Sequence, residues 1–181
     1  MDQGPPACSN RSMLALRSIA ISYEPQEDRV LAIVNPGHPE TWSCWLTRRV
    51  VLALLERAPK LLAGTSPLVQ RGSGEYRGEL VAFERDVALS TTAKAMTPTP
   101  SDVLKTGATA AELAERLTIS AQGEGFRFEL HGYRGGGAAG VMTRAELQRI
   151  IRMLEVVVEK AGWVSPTPLT AQAPSPKPVA H

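Results

Sequence analysis

The sequence predicts an α+β fold: two similar strand-strand-strand-helix units forming one pseudo-twofold domain, with a middle helix and disordered tails. Three observations predict it. Apolar and polar residues alternate in two separate stretches, the period of a half-buried strand. Each stretch leads into a helical stripe opened by a threonine, Thr47 in the first and Thr143 in the second. Those threonines lie 96 residues apart, and the apolar positions of the two stripes coincide at the same offset.

The chain of 181 residues suits a single compact domain. Hydrophobic residues make up 43% and charged residues 21%, enough apolar material for a buried core. Twenty Lys and Arg against eighteen Asp and Glu leave a net charge of +2, too balanced to coat nucleic acid or an anionic membrane by charge alone. The opening residues contain Asp2, Pro5 and Pro6, unlike the basic start and apolar run of a signal peptide. No apolar run approaches the roughly 20 residues that span a bilayer. The expectation is a soluble, cytoplasmic protein with no membrane partner. Residues 1–12 and the Pro-rich residues 165–181 read as tails, because neither buries enough surface to offset its ordering entropy. The domain is placed at 13–164, with pseudo-repeats over 13–64 and 113–163 and a connecting helix and loop over 65–112.

In the first unit Ile19, Ile21 and Tyr23 alternate with Ser18, Ala20 and Ser22. Glu24 to Asp28 is a turn cluster. Val30 to Val34 returns, with Leu31 and Ile33 expected on the face of Ile19 and Ile21. A third strand, Trp42 to Leu46, puts Trp42 and Trp45 on opposite faces. Thr47 then caps a helix carrying Val50, Val51, Leu54, Leu55, Ala58, Leu61 and Leu62, an i, i+3, i+4 stripe. Pro59 inside it predicts a kink or break near Ala58.

Between the units, Leu80, Phe83, Val87 and Ser90 fit a helical period within 75–93, with a pair of strands as the alternative reading. Thr97 to Gly107, with Pro98 and Pro100, reads as irregular, and Ala108 to Ala114 as a further turn or two of helix. The second unit alternates Leu117, Ile119 and Ala121 with Thr118 and Ser120, turns at Gln122 to Gly125, and returns through Phe126, Phe128 and Leu130. A glycine-rich connection runs from Gly132 to Gly140, and Val141-Met142 is short and extended. Thr143 and Glu146 form a capping box before the stripe Leu147, Ile150, Ile151, Leu154, Val157, Val158 and Ala161, and Gly162 follows as the C-cap. At the 96-residue offset Val51 falls on Leu147, Leu54 on Ile150, Leu55 on Ile151, Leu61 on Val157 and Leu62 on Val158. Leu31 falls near Phe126 within a residue or two of hairpin slippage. Such recurrence is the signature of an internal repeat.

No chemistry-bearing motif emerges. Cys8 lies in a tail and Cys44 inside a strand, where it reads as a small buried hydrophobe. His38 and His131 read as loop residues without the further ligands a metal site needs. The glycines from 132 to 140 lack the Lys-Ser or Lys-Thr that ends a phosphate loop. The carboxylates Glu27, Asp28, Glu84, Asp86, Glu112 and Glu115 show no apolar setting suited to acid–base work. No catalytic residue, metal site or cofactor is expected.

The remaining candidates are cationic and aromatic. Arg48, Arg49 and Arg144 stand at helix N-termini, where a cation opposes the macrodipole. Placed there, they call for an anion, either a neighbouring acid or a partner's carboxylate or phosphate. Trp42, Tyr133 and Arg134 complete the set of candidate partner-binding residues. In element order alone, the twofold arrangement of sheet and helix is similar to single-stranded nucleic-acid binders of the Whirly and PUR kind. That resemblance implies a sheet face set against a nucleic acid; the class needs exposed aromatics and a basic groove, and aromatics are 5% of this chain. The function expected is therefore a non-catalytic interaction protein, an assembly, accessory or regulatory subunit that binds another protein. A single-stranded nucleic acid is the alternative partner, and a second copy of the chain is a further one.

The helical stripes carry a direct test. Leu54→Asp or Ile151→Asp places a charge in the core and lowers unfolding free energy by about 3–5 kcal/mol. Thermal melting of either variant is expected to lose its cooperative transition near the wild-type temperature.

Overall fold

The computed structural model describes residues 13–92 and 99–163; both expected tails, with Cys8, lie outside the described residues. The chain is α+β. Its elements are β1 (Leu14–Ala15), β2 (Ile19–Glu24), β3 (Arg29–Val34), β4 (Trp42–Leu46), α1 (Arg48–Gly64), α2 (Pro67–Arg71), a 3-10 turn (Gly74–Tyr76) and α3 (Arg77–Thr92). Then follow α4 (Ser101–Ala110), β5 (Glu112–Gln122), β6 (Gly125–Gly132), β7 (Gly137–Met142) and α5 (Arg144–Ala161).

The strands form one mixed sheet in the order β1-β7-β6-β5-β4-β3-β2. β1 and β2 are separated by three residues in the chain yet stand at opposite ends of that order. The sheet must therefore curl until its ends approach each other. Each half is an antiparallel meander, β2-β3-β4 and β5-β6-β7, and the halves join by parallel pairing of Cys44 and Trp45 with Glu112 and Leu113. A second parallel pairing sets Leu14 and Ala15 against Ala138 and Ala139.

The registers repeat at one offset. In the β3–β4 ladder Val30 faces Leu46, Ala32 faces Cys44 and Val34 faces Trp42. In the β6–β7 ladder Phe126 faces Met142, Phe128 faces Gly140 and Leu130 faces Ala138. Every one of these residues lies 96 positions after its counterpart. The β2–β3 and β5–β6 hairpins differ by a short slip, with a bulge between Ala114 and Arg116.

α1 and α5 fill the inside of the curl. Val51, Leu54, Leu55, Ala58 and Leu62 of α1 meet Leu147, Ile150, Ile151, Leu154, Val157 and Val158 of α5, together with Phe126, Phe128 and Leu130 of β6. Full burial of Phe126 and Phe128 contributes roughly 1.5–3 kcal/mol each. The caps form as their residue types dictate. Thr47 Oγ1 accepts from Val50 N at 3.4 Å, Thr143 and Glu146 close a capping box, and Gly162 ends α5 at φ 65°. α1 runs unbroken through Pro59; the flanking Ala58 and Leu62 are anchored in the core, so tertiary packing overrides the missing donor.

Four expectations are corrected. Leu31 and Ile33 do not share the face of Ile19 and Ile21: with Ala20 they point outward and pack under α4, against Val103, Leu104, Ala108 and Ala111. Residues 101–107 are the first turns of α4 and not irregular chain, and the helix ends at Ala110, so that Glu112 already belongs to β5. Pro100 starts this helix because a missing N–H costs nothing in the first turn. The glycine-rich connection is shorter than expected, since Gly137 to Gly140 lie in β7. α3 forms within the expected region, but Phe83 is 59% exposed and Val87 47%. The helix leans on α5 through its opposite side, where Ala88 is buried and Arg85 pairs with Glu155.

The junction of the halves centres on Glu112, buried at 7% exposure. Its carboxylate accepts from Trp42 Nε1 at 2.8 Å and from the backbone N–H of Arg134. Gly132 and Gly136 lie so close that a Cβ on either would collide with the Glu112 side chain. Glu112→Ala removes the acceptor shared by two part-buried donors, Trp42 Nε1 and Arg134 N, and is expected to cost about 1–3 kcal/mol in urea denaturation. Glu112→Gln, which keeps the shape and one acceptor oxygen, is expected to lose less.

Candidate interaction surface

The arginines that look misplaced in sequence are placed by the opposite helix. Arg144 opens α5, but its guanidinium lies at the C-terminal end of α1. Nη1 donates to Leu62 O at 2.7 Å, and Nη2 donates to Thr65 O at 2.9 Å and Thr65 Oγ1 at 3.1 Å. A cation at a helix C-terminus is favoured by the macrodipole and by the unsatisfied carbonyls there. The same group lies 5.3 Å from the Phe126 ring centroid and 4.0 Å from Glu84. Arg48 opens α1 and lies 6.0 Å from the ring of Trp163, just past the end of α5. Trp163 Nε1 and Tyr23 Oη both donate to Asp28 Oδ1, at 2.8 and 2.9 Å. Those two donors hold the Asp28 carboxyl below the usual carboxylate range, Trp163 contributing most.

Of the six candidate partner-binding residues, Arg144 is thus committed inside the fold. This corrects its assignment to a partner: the anion it calls for is the carbonyl-rich end of α1. Arg48 is exposed beside Trp163, and Arg49 is exposed next to it. Of the other three, Trp42 and Arg134 converge on Glu112. Trp42 is half-buried and bonded to the carboxylate. Arg134 gives it a backbone bond while its guanidinium Nη2 reaches Ala111 O at 3.4 Å. Tyr133 is 77% exposed, with its backbone N–H donating to Leu113 O at 2.8 Å. Trp45, on the other face of β4, packs under α4.

The larger surface feature is one that reading the sequence missed. On the outward face of the first half, Leu31, Ile33 and Trp45 are sealed beneath α4, which Ser43 Oγ also grips by donating to Gly107 O at 2.7 Å. At the matching register of the second half stand Arg127, Glu129 and Val141. They remain open to solvent: the Arg127 side chain is 46% exposed and Val141 59%. Along this face Arg127 Nε donates to Glu129, His131 Nε2 lies 3.7 Å from Glu129 Oε2, and Arg116 Nη2 lies 3.4 Å from His131 Nε2. The Arg127 guanidinium, with help from His131, holds the Glu129 carboxyl below its ordinary range. His131 is therefore a strand residue in a charged row, and not the loop residue expected. Arg127 and His131 flank the Glu129 carboxylate and Arg116 approaches His131; guanidinium forks of this kind suit carboxylate partners. The signal was present in the alternation: strand positions that are apolar on both faces in β3 become charged on one face in β6.

Cys44 is fully buried, and burial with the nearby Glu112 charge pushes its thiol far above the ordinary range. Among the described residues no group of three His, Cys, Asp or Glu side chains could hold a metal ion. No helix of the described residues is long and apolar enough to cross a membrane. No protein-family model, curated protein or solved structure matches the chain.

The role of Arg144 is separable from binding. Arg144→Gln removes a charge-assisted cap from α1 and is expected to cost roughly 1.5–3 kcal/mol in chemical denaturation. Arg49→Gln, on open surface, is expected to change stability by less than about 0.5 kcal/mol.

Proposed function

We propose that this protein is a non-catalytic interaction protein, an assembly, accessory or regulatory subunit that acts in the cytoplasm. It docks another protein on the outward face of β5, β6 and β7. One observation carries the reading. Two sheet faces of matching register are treated oppositely: the chain seals the first with its own helix α4 and leaves the second open and charged. The partner contributes an element with acidic side chains, which meet Arg116 and Arg127 while its apolar side covers Val141. The two halves are, on this proposal, a duplicated unit related by a pseudo-twofold axis. The common 96-residue offset of the β3–β4 and β6–β7 ladders and of both threonine caps supports that reading. In a duplicated unit, a difference in what covers the two faces marks where the copies took different tasks.

A protein partner suits this face better than a single-stranded nucleic acid. Base stacking needs exposed rings, whereas Arg116, Thr118, Ser120, Arg127, Glu129, His131 and Val141 offer none, and Tyr133 stands beyond the end of β6. The test is a photo-crosslinker at position 141, used in the native cell with and without Arg116→Glu and Arg127→Glu. The double change is expected to abolish the cross-linked protein product while the circular dichroism and melting temperature stay near wild type. An unchanged product would overturn the reading. A salt-sensitive retardation of single-stranded oligonucleotide, removed by the same changes, would move the assignment to nucleic acid.

A further inference from the structure

The curl of the sheet does not close along its whole length. β1 is held to β7 by parallel pairing, extended by Leu16 N donating to Ala139 O at 2.8 Å. The chain then breaks from the ladder: Arg17 N and Ser18 N both donate to Asn35 Oδ1, at 2.9 and 3.2 Å, and Asn35 Nδ2 donates to Ala15 O at 2.8 Å. Asn35 is 2% exposed and holds φ 51°, a left-handed conformation that Asn tolerates better than most residues. Its side chain stands in for the missing strand partner. Beyond this break β2 pairs with β3 on one side, and among the described residues no strand pairs with its other side. A cleft of about 370 Å³ opens there, walled by Leu16 to Ile21 and by Val141 and Met142, with α5 as its floor.

The floor is chemically unfinished. Arg149 Nε is buried and finds no hydrogen-bond partner among the described residues. A buried guanidinium N–H without an acceptor is costly. Glu146, the carboxylate of the floor, is already engaged by Thr143 N at 2.7 Å and Thr143 Oγ1 at 2.9 Å. Arg17 adds a second guanidinium to the wall. The cleft thus joins an open strand edge, a mixed lining of apolar and polar groups, and a buried guanidinium N–H without an acceptor among the described residues.

We propose that this cleft binds an extended acidic segment of a partner protein, which adds as a strand to the open edge of β2 and places a Glu or Asp carboxylate on Arg149 Nε. Main-chain hydrogen bonds supply affinity and the carboxylate supplies selectivity, as in other strand-addition sites. The cleft shares Val141 with the outward face of β5–β7, but the β2 edge and Arg149 do not belong to that face, so Arg149→Leu tests this proposal and the paired Arg116→Glu and Arg127→Glu changes test the other.

The test uses the full chain and a short strand-forming peptide of alternating Thr and Val with one central Glu. Amide shifts by NMR are expected at Ile19 to Ile21 on titration, with a shift of the Arg149 Nε–H resonance. A peptide with Gln for Glu, and one with methylated backbone amides, are each expected to bind about tenfold more weakly. Arg149→Leu is expected to abolish the preference for Glu over Gln, and Arg149→Lys to retain part of it. Equal binding of the Glu and Gln peptides, undiminished binding of the methylated peptide, or absence of shifts along β2 would overturn the proposal. So would cross-links in the unliganded protein between the cleft and residues 93–98, which would make the chain its own occupant.

Discussion

The carboxylate of Glu112 is the point on which the arrangement turns. It sits at the first residue of β5, opposite Cys44, where the two meanders become one sheet. A buried carboxylate is tolerated only when its lone pairs are met by donors. Here the donors come from both halves: the indole of Trp42 on β4 and the backbone of Arg134 beyond β6. Glycines at 132 and 136 are required because the chain passes directly over the carboxylate. The nearby charge and complete burial keep Cys44 a protonated, inert thiol. Satisfying one acid therefore sets the join of the sheet, the path of the glycine-rich loop and the exposure of Tyr133 at its tip.

A second constraint locks the helices inside the curl. α1 and α5 each begin with Thr-Arg, and each arginine lies at the C-terminal end of the other helix. Around Arg144 the arrangement extends into a polar knot: Ser66 Oγ accepts from Val69 N at 3.1 Å and donates to Glu84, which approaches Arg144. This knot ties α1, α2, α3 and α5 at one end of the core. At the other end Asp28 gathers Tyr23 and Trp163. The two ends use different residues for similar work.

Against that shared frame, the outer faces differ in a way that bears on function. α4 spends its apolar side on Leu31, Ile33 and Trp45, which removes one sheet face from any external use. The facing row of Arg116, Arg127, Glu129 and His131 is internally paired yet solvated, a condition in which a partner's charges exchange with existing ones without desolvating isolated ions. The cleft beside β2 adds unpaired backbone and a buried donor.

The sequence by itself determined the α+β class, the strands of the first meander, most of β5 and β6, the caps at Thr47, Thr143 and Gly162, and the burial of both helical stripes. These depend on local periodicity and on hydrogen-bond chemistry within a few residues. Tertiary structure alone decided what lay across long separations. Glu112 reads as a helical surface acid until Trp42, 70 positions away, meets it. Arg144 reads as a partner-seeking cation until the Leu62 carbonyl, 82 positions away, accepts its hydrogen bond. Leu31 and Ile33 could not be assigned a face from alternation, because β3 is apolar on both sides and a strand covered on both faces carries no period-two contrast. α4 was hidden for a different reason: its short sequence, with Pro100 before it and Gly107 inside it, is stabilised chiefly by the sheet face it covers.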